Sequence, residues 1–92
     1  MYLEIVTPEA SLVKGEVTSV TVPGVDGEFQ MLNNHAAIVS LLVEGKVKFN
    51  GNPEIAEGFE DSFVKESDGR WSLAITSGTL EMNNNKVIVL AD

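Results

Sequence analysis

The sequence predicts an all-β fold, a small antiparallel β-sandwich of about eight to ten short strands. Three observations support this class. The chain has 92 residues, enough for one domain with a thin core. Apolar and β-branched residues occur in short runs, and turn-forming residues separate these runs at intervals typical of a sandwich. No internal repeat or long amphipathic helix is evident, so we treat residues 1–92 as one domain.

The first third of the chain contains three predicted strands. They occupy residues 3–7, 11–14 and 16–22. Pro8 ends the first strand because proline lacks the N–H group that a β-ladder needs. We expect Gly15 to turn the chain between the second and third. In the third strand, Thr18, Val20 and Val22 are expected to share one face, since side chains alternate along a strand.

The middle of the chain continues this pattern and then becomes irregular. Predicted strands occupy residues 29–32, 38–42 and 46–49. Asn33-Asn34 and Glu44-Gly45 separate them and favour tight turns. Residues 54–61 are acidic and lack any period, so we expect a loop there with one short helical turn.

The last third predicts two hairpins. Their strands occupy residues 62–65, 71–76, 79–82 and 87–90. Asp68-Gly69 lies between the first two strands and is a dipeptide that suits the positive φ angles of a type I′ turn. Asn83, Asn84 and Asn85 lie between the last two, and asparagine tolerates left-handed backbone conformations better than most residues.

Composition and charge exclude several classes of partner. Six basic and fourteen acidic side chains give a net charge of -8, which repels both phosphate backbones and anionic lipids. We therefore expect no nucleic acid partner. The chain has no cysteine, no signal peptide and no apolar stretch of 18 residues. We expect a cytoplasmic location and contact with a membrane only through partner subunits.

The residue types offer little for catalysis. His35 is the only histidine, and no serine lies in a Gly-x-Ser-x-Gly elbow, so we interpret His35 as a turn residue whose ring bonds to the backbone. Residues 23–27 lack the Gly-Lys-Ser/Thr of a phosphate loop. A cluster of carboxylates lacks the ligand alternation of a calcium loop: Glu54, Glu57, Glu60 and Asp61. We predict no catalytic residue, no metal site and no cofactor.

Two motifs connect the chain to a known family. Residues 15–29 read GEVTSVTVPGVDGEF and lead to Leu32, His35 and Ala36, while residues 78–92 read GTLEMNNNKVIVLAD. With residues 3–8, they cover about two thirds of the chain in order. This arrangement resembles the N-terminal domain of the epsilon subunit of bacterial F-type ATP synthases. Five residues depart from the family pattern. Glycine is usual at Gln30, proline is usual at Asn33 and Ala37, and Ser77 and Thr79 differ from a common Gly-Gly-Phe.

The resemblance implies a non-catalytic subunit of the central stalk of a rotary ATP synthase. Such a subunit binds the gamma subunit, rests on the c-ring and couples their rotation during proton-driven ATP synthesis. It touches the catalytic head only indirectly and lies on the cytoplasmic face of the bacterial inner membrane. The family's C-terminal helical hairpin, which normally follows Leu90-Ala91-Asp92, is absent from this sequence. Compared with the family, residues 50–70 are expected to be a loop insertion.

The resemblance also suggests which residues contact the c-ring. Glu28 matches the acidic position of the ring-facing loop, and four further residues lie in the same motif: Phe29, Met31, Leu32 and His35. A solvated turn glutamate remains the alternative for Glu28. For the whole chain, the alternative is a stand-alone β-sandwich module that binds a peptide or a saccharide. Such a module requires an aromatic platform or a concave polar groove.

Overall fold

The fold is an all-β sandwich, as predicted. The computed structural model describes residues 1–92 and contains ten strands and one 3₁₀ turn, at Glu60–Ser62. The strands are β1 (Tyr2–Val6), β2 (Ser11–Gly24), β3 (Gly27–Leu32), β4 (Ile38–Leu42), β5 (Gly45–Gly51), β6 (Glu54–Ile55), β7 (Phe63–Lys65), β8 (Trp71–Ile75), β9 (Gly78–Asn83) and β10 (Lys86–Ala91). All pairings are antiparallel except that of β1 with β10.

The strands form two layers that share strand β2. In the first layer, the start of β2 pairs with β1, and the order continues through β10 and β9 to β4. In the second layer, the remainder of β2 pairs with β3 on one side and with β5, followed by β8 and β7, on the other. Because β2 belongs to both layers, one hydrogen-bonded sheet folds over on itself.

The core lies between the layers and contains 20 buried apolar residues. Alternation along the strands builds it. In β10, Val87 and Val89 point inward, whereas in β5 the inward residues are Val47 and Phe49, all fully buried. Phe49 meets Phe63 of β7 edge to face, with ring centroids 6.1 Å apart. This packing anchors β7 at the edge of the second layer.

The predicted turn at Gly15 is wrong, because β2 runs through this position without interruption. Gly15 has φ +149°, and a Cβ atom there would lie 2.8 Å from the Cα atom of Pro53. The glycine therefore allows the chain near residue 53 to cross closely over the strand, rather than reversing its direction.

The prediction that Thr18, Val20 and Val22 share one face is wrong for Thr18. The register between β2 and β5 shifts between Val17 and Ser19, as in a β-bulge. As a result Val17, Val20 and Val22 all point into the core, whereas Thr18 is exposed. The bulge lets one strand serve both layers.

The two predicted hairpin turns have different outcomes. Between β7 and β8 only Gly69 has a positive φ, +91°, and its N–H group donates to the carbonyl of Glu66. A type I′ turn requires two such residues, so this is instead a turn of residues 66–69 that ends on a left-handed glycine. Between β9 and β10, Asn84 and Asn85 have φ angles of 51° and 60°. The prediction of left-handed asparagines is confirmed.

Residues 50–70 connect the two layers. The predicted loop at residues 54–61 is wrong at its start, because Glu54–Ile55 form strand β6, which pairs with β2. Ile55 lies opposite Val13, and the N–H group of Ala56 donates to the carbonyl of Leu12. The predicted short helical turn is confirmed as the 3₁₀ turn, which precedes the edge strand β7. This segment thus closes one side of the sandwich. Its origin as an insertion in the family stays a prediction.

Candidate partner-binding surfaces

Strand β3 carries four of the five residues predicted to contact the c-ring, all except His35, and it divides them between two faces. Glu28, Gln30 and Leu32 point outward and are exposed; we call them the β3 strip. Phe29 is half-buried against the core, and Met31 is fully buried. The Met31 side chain therefore supports β3 from inside and is not on the surface of the chain, and its part in a c-ring contact stays a prediction.

Gln30 was missed by the sequence interpretation. It lies between Glu28 and Leu32 on the same face, because residues at i, i+2 and i+4 share one side of a strand. Alternation alone could have identified it. The comparison with the family instead drew attention to the whole run of residues, without separating the two faces.

The Glu28 carboxylate is not free in solvent. Its Oε2 atom lies 3.5 Å from Nζ of Lys48 on β5, and the two side chains are 53% and 21% exposed. Lys48 lies opposite Thr21 on β2, so the ion pair crosses the outer face of the second layer. The pair orients the carboxylate while leaving about half of its surface available to a partner.

His35 lies in a tight turn at the far end of β3. The backbone N–H group of His35 donates to the Leu32 carbonyl at 3.1 Å. Asn34, inside the turn, has a left-handed backbone with φ 63°. The His35 ring donates from Nδ1 to the carbonyl of Ala36 at 2.7 Å, which leaves Nε2 on the exposed side. A turn histidine bonded to the backbone is thus confirmed.

The two ends of β3 are well separated. Four residues of strand span about 13 Å between Glu28 and Leu32, with His35 further on. Glu28 lies opposite Pro23, close to the turn between β2 and β3, whereas Leu32 lies opposite Ser19. A single partner can touch both Glu28 and His35 only by lying along the strand.

The outer side of the first layer carries a different surface. Val39 and Leu41 project from β4, and Ile88 and Leu90 project from β10; we call these four residues the apolar face. Val39, Leu41 and Leu90 are 76%, 65% and 51% exposed. The smaller Thr79 of β9 lies between the two rows, so a groove of 380 Å³ runs along the layer.

Carboxylates accompany this apolar surface. Glu81 of β9 lies in register with both Val39 and Ile88 and makes no salt bridge. At one end of the face a second depression, of 550 Å³, contains the exposed Val25 and Asp92. The surface is therefore apolar with acidic groups, which suits an apolar partner that also carries basic side chains.

The sequence contained a signal for the apolar face. Residues 38–42 and 87–90 are almost continuously apolar, whereas a strand with one solvated face alternates apolar and polar residues. Continuous runs indicate strands that are covered on both sides. The core covers only one side of β4 and β10, so the other side is left without a cover in this chain.

The outer side of the second layer is polar and internally paired. Glu66 accepts a hydrogen bond from the Ser72 hydroxyl at 2.6 Å and lies 3.5 Å from Nζ of Lys46. The Ser72 bond, followed by the charge of Lys46, holds the pKa of Glu66 below its usual range. Arg70 pairs with Asp68 at 2.9 Å and reaches Thr21 at 3.2 Å. We call this surface the polar face.

Aromatic side chains do not form an exposed platform. Phe49 and Phe63 are buried, while Tyr2 and Trp71 are half-buried and each lies beneath a lysine. The nitrogen of Lys65 is 4.6 Å from the Trp71 ring centre. The aromatic platform, one of the two features that a saccharide-binding module could use, is therefore missing from the surface.

Carboxylates in the 50–70 segment do not converge on a common point, and no group of three or more His, Cys, Asp or Glu side chains is placed to hold a metal ion. No helix in the chain is long and apolar enough to span a membrane.

Comparison with known proteins identifies the family. The family model described as ATP synthase, Delta/Epsilon chain, beta-sandwich domain matches residues 1–59. A protein named ATP synthase epsilon chain from Chlorobium limicola is 38% identical over 90 residues, covering 98% of this chain and 86% of that protein. The epsilon chain of Aquifex aeolicus (strain VF5) is 37% identical over 90 residues, and the match covers 98% of this chain but only 56% of the longer relative.

Solved structures share the fold at low sequence identity. A chain in the cryo-EM structure of the central stalk and c-ring of Tetrahymena thermophila mitochondrial ATP synthase matches with a TM-score of 0.71 and 17% identity, over 99% of this chain and 62% of that one. A chain of the Euglena gracilis mitochondrial ATP synthase also reaches 0.71, with 18% identity and coverage of 97% and 48%. From the family match and the likeness to epsilon chains over nearly the whole of this chain, this chain belongs to the ATP synthase delta/epsilon chain family.

Proposed function

We propose that this chain is a non-catalytic central-stalk subunit of a rotary ATP synthase, which couples the gamma subunit to the c-ring during proton-driven ATP synthesis. Membership of the family supports this proposal, as does the likeness to a chain from a central stalk and c-ring assembly. The observation that carries it is the apolar face, an uncovered surface on regular strands. Within a complex, the chain would lie on the cytoplasmic face of the bacterial inner membrane and meet the membrane only through partner subunits.

The apolar face is our candidate for the contact with the gamma subunit. Contiguous exposed apolar surface on a small domain marks a partner site more often than not. Two strands present these side chains, so the surface is ordered before binding and loses little entropy on association. Glu81, unpaired between Val39 and Ile88, favours a gamma surface with a basic side chain at the matching position.

The β3 strip is our candidate for the contact with the c-ring. Its residues are mostly polar, and Glu28 is held by Lys48 in a defined orientation. A partly exposed carboxylate can pair with a basic group on a ring loop, which contributes to orientation and association rate more than to affinity. His35 would extend this contact beyond Leu32, at the end of the strand. Phe29 and Met31 would act from inside, by supporting the strand.

Mechanical continuity between the two surfaces supports a coupling role. The apolar face belongs to the first layer and the β3 strip to the second. Strand β2 pairs with β1 in one layer and with β3 in the other, so a single hydrogen-bonded strand joins them. Gly24 of β2 also lies opposite Leu42 of β4. A load applied at one surface is therefore transmitted through the ladder rather than through a flexible loop.

The experiment is to tag the full chain, express it in its native host and identify what co-purifies from detergent-solubilised membranes. Recovery of the gamma subunit together with the catalytic subunits is expected. Recovery of one soluble protein or a saccharide in their place would contradict the proposal and favour the binding-module alternative.

A further inference from the structure

Asn85 joins two segments that are distant in sequence. Its Oδ1 atom accepts a hydrogen bond from the N–H group of Asn34 at 2.8 Å, across 51 residues. Its backbone carbonyl accepts from the N–H group of Tyr2 at 3.0 Å. Thus one residue in the β9–β10 turn holds both the start of β1 and the turn that contains His35.

The turn itself does not require this side chain. Asn84 and Asn85 both have left-handed backbones, and glycine adopts that conformation without a steric cost. The side chain of Asn84 is exposed and makes no hydrogen bond. The two neighbours therefore share their backbone role, while only Asn85 contributes an acceptor to another part of the chain.

The Leu32–His35 turn has one other restraint from outside its own residues, a hydrogen bond of 2.7 Å that the N-terminal ammonium of Met1 donates to Oδ1 of Asn33. The turn follows β3, which pairs only with β2, and its residues are exposed. One internal bond, from His35 N–H to the Leu32 carbonyl, closes it. The bond from Asn34 to Asn85 adds a second tether, and of the two it is the one that holds the backbone of the turn, because the Met1 bond reaches only the Asn33 side chain.

We infer that Asn85 is a positioning residue, which holds the Leu32–His35 turn in the orientation that meets the c-ring. This inference rests on the proposed function of the β3 strip. Asn85 contacts no partner itself; it acts by fixing Asn34, which lies between Leu32 and His35. Pre-ordering of the turn removes an entropy loss that binding would otherwise incur.

The test compares Asn85→Gly with Asn84→Gly, its matched control. Both keep the left-handed backbone, and only the first removes the acceptor. The measurement is solvent exchange of the Asn34 amide, followed by NMR on the full chain. In Asn85→Gly the exchange should accelerate about three- to tenfold, the range expected for loss of one ordinary hydrogen bond. In Asn84→Gly it should stay unchanged. Asn85→Asp retains an acceptor and should restore protection. Equal exchange in both glycine variants would overturn the tether.

A second measurement separates the tether from the function of the strip. In reconstituted enzyme, ATP-driven proton pumping per ATP hydrolysed should fall in Asn85→Gly and in His35→Ala, while Asn84→Gly and Asn85→Asp pump normally. If His35→Ala lowers pumping and Asn85→Gly does not, the positioning role is wrong and the proposed ring contact stands. If His35→Ala and Leu32→Ser both pump normally, the ring contact is wrong, whatever the amide exchange shows.

Discussion

The two outer faces of the sandwich share strand geometry and differ in chemistry. On the polar face, Lys46, Lys48 and Arg70 each lie within 3.5 Å of a carboxylate oxygen. On the apolar face, by contrast, Glu81 has no ion-pair partner, and Val39 and Leu41 remain largely exposed. One face satisfies its groups within the chain. The other leaves its apolar side chains and Glu81 to solvent, so it is the face on which a partner would bury the more apolar area.

The largest expected effect comes from placing a charge on the apolar face. Val39→Asp should weaken binding to the gamma subunit about 100-fold, because it buries an unpaired carboxylate in the interface. Val64→Asp is the matched control, since Val64 is an exposed strand valine of the second layer. Calorimetric or interferometric titration with gamma measures both. Equal losses of affinity in Val39→Asp and Val64→Asp would show that the gamma subunit does not bind the apolar face in preference to the polar face.

The next effect concerns the boundary between the polar face and the β3 strip. Glu28→Lys should lower the coupling of ATP hydrolysis to proton pumping about fivefold, the upper range for one exposed ion pair. The stability of the isolated chain should change by less than about 1 kcal/mol, although the new lysine faces Lys48. Pumping assays and urea unfolding test the two parts. An unfolded variant, or one that pumps normally, would mean that Glu28 has another role.

A smaller effect tests the internal pairing of the polar face. Ser72→Ala removes the bond that lowers the pKa of Glu66. When folding lowers the pKa of a carboxyl group, the folded state is stabilised at every pH above the pKa of the unfolded chain, about 4.3 for Glu. This stabilisation is lost as the pH falls through the lower pKa of the folded state. Ser72→Ala should therefore melt below the parent at pH 7, with the gap narrowing below about pH 4. Ser40→Ala, whose hydroxyl bonds only to the adjacent Leu41 carbonyl, is the control. A pH-independent gap for Ser72→Ala would contradict this origin.

No effect at all is expected when Mg-ATP is titrated into the isolated chain. The polar face has the basic side chains that a phosphate group requires, but carboxylates already neutralise them. No phosphate loop supplies backbone donors instead. Isothermal titration calorimetry should record only dilution heat. Stoichiometric binding at micromolar affinity would show that the polar face accepts an anion after all.

Sequence reasoning recovered the fold because β-runs and turn residues are local signals. The left-handed Asn84 and Asn85 and the short helical turn after residue 59 follow from such signals. The errors arose where contacts between residues distant in sequence determine the local backbone conformation. Gly15 is required by the close approach of Pro53, and the Thr18 bulge is required by a strand shared between layers. Neither neighbour is visible in a local window.

The candidate site was less predictable than the fold for a similar reason. The family motif located β3, and alternation along the strand separates Glu28 and Leu32 from Met31, but only the pairing of β3 within the fold shows which of the two faces is buried. The apolar face could be predicted from the almost continuous apolar runs at residues 38–42 and 87–90, because apolar and polar residues do not alternate there. Its partner could not be deduced, because the complementary residues belong to another chain.

Hydroxyl-radical footprinting of the chain, free and bound to the gamma subunit, tests the central claim most directly. Leu41 and Leu90 of the apolar face and Val64 of the second layer are exposed to similar extents, 65%, 51% and 56%, so all three should be oxidised in the free chain. On binding gamma, Leu41 and Leu90 should be protected while Val64 stays reactive. Protection of Val64 with continued oxidation of Leu41 and Leu90 would place the gamma subunit on the polar face and contradict the account.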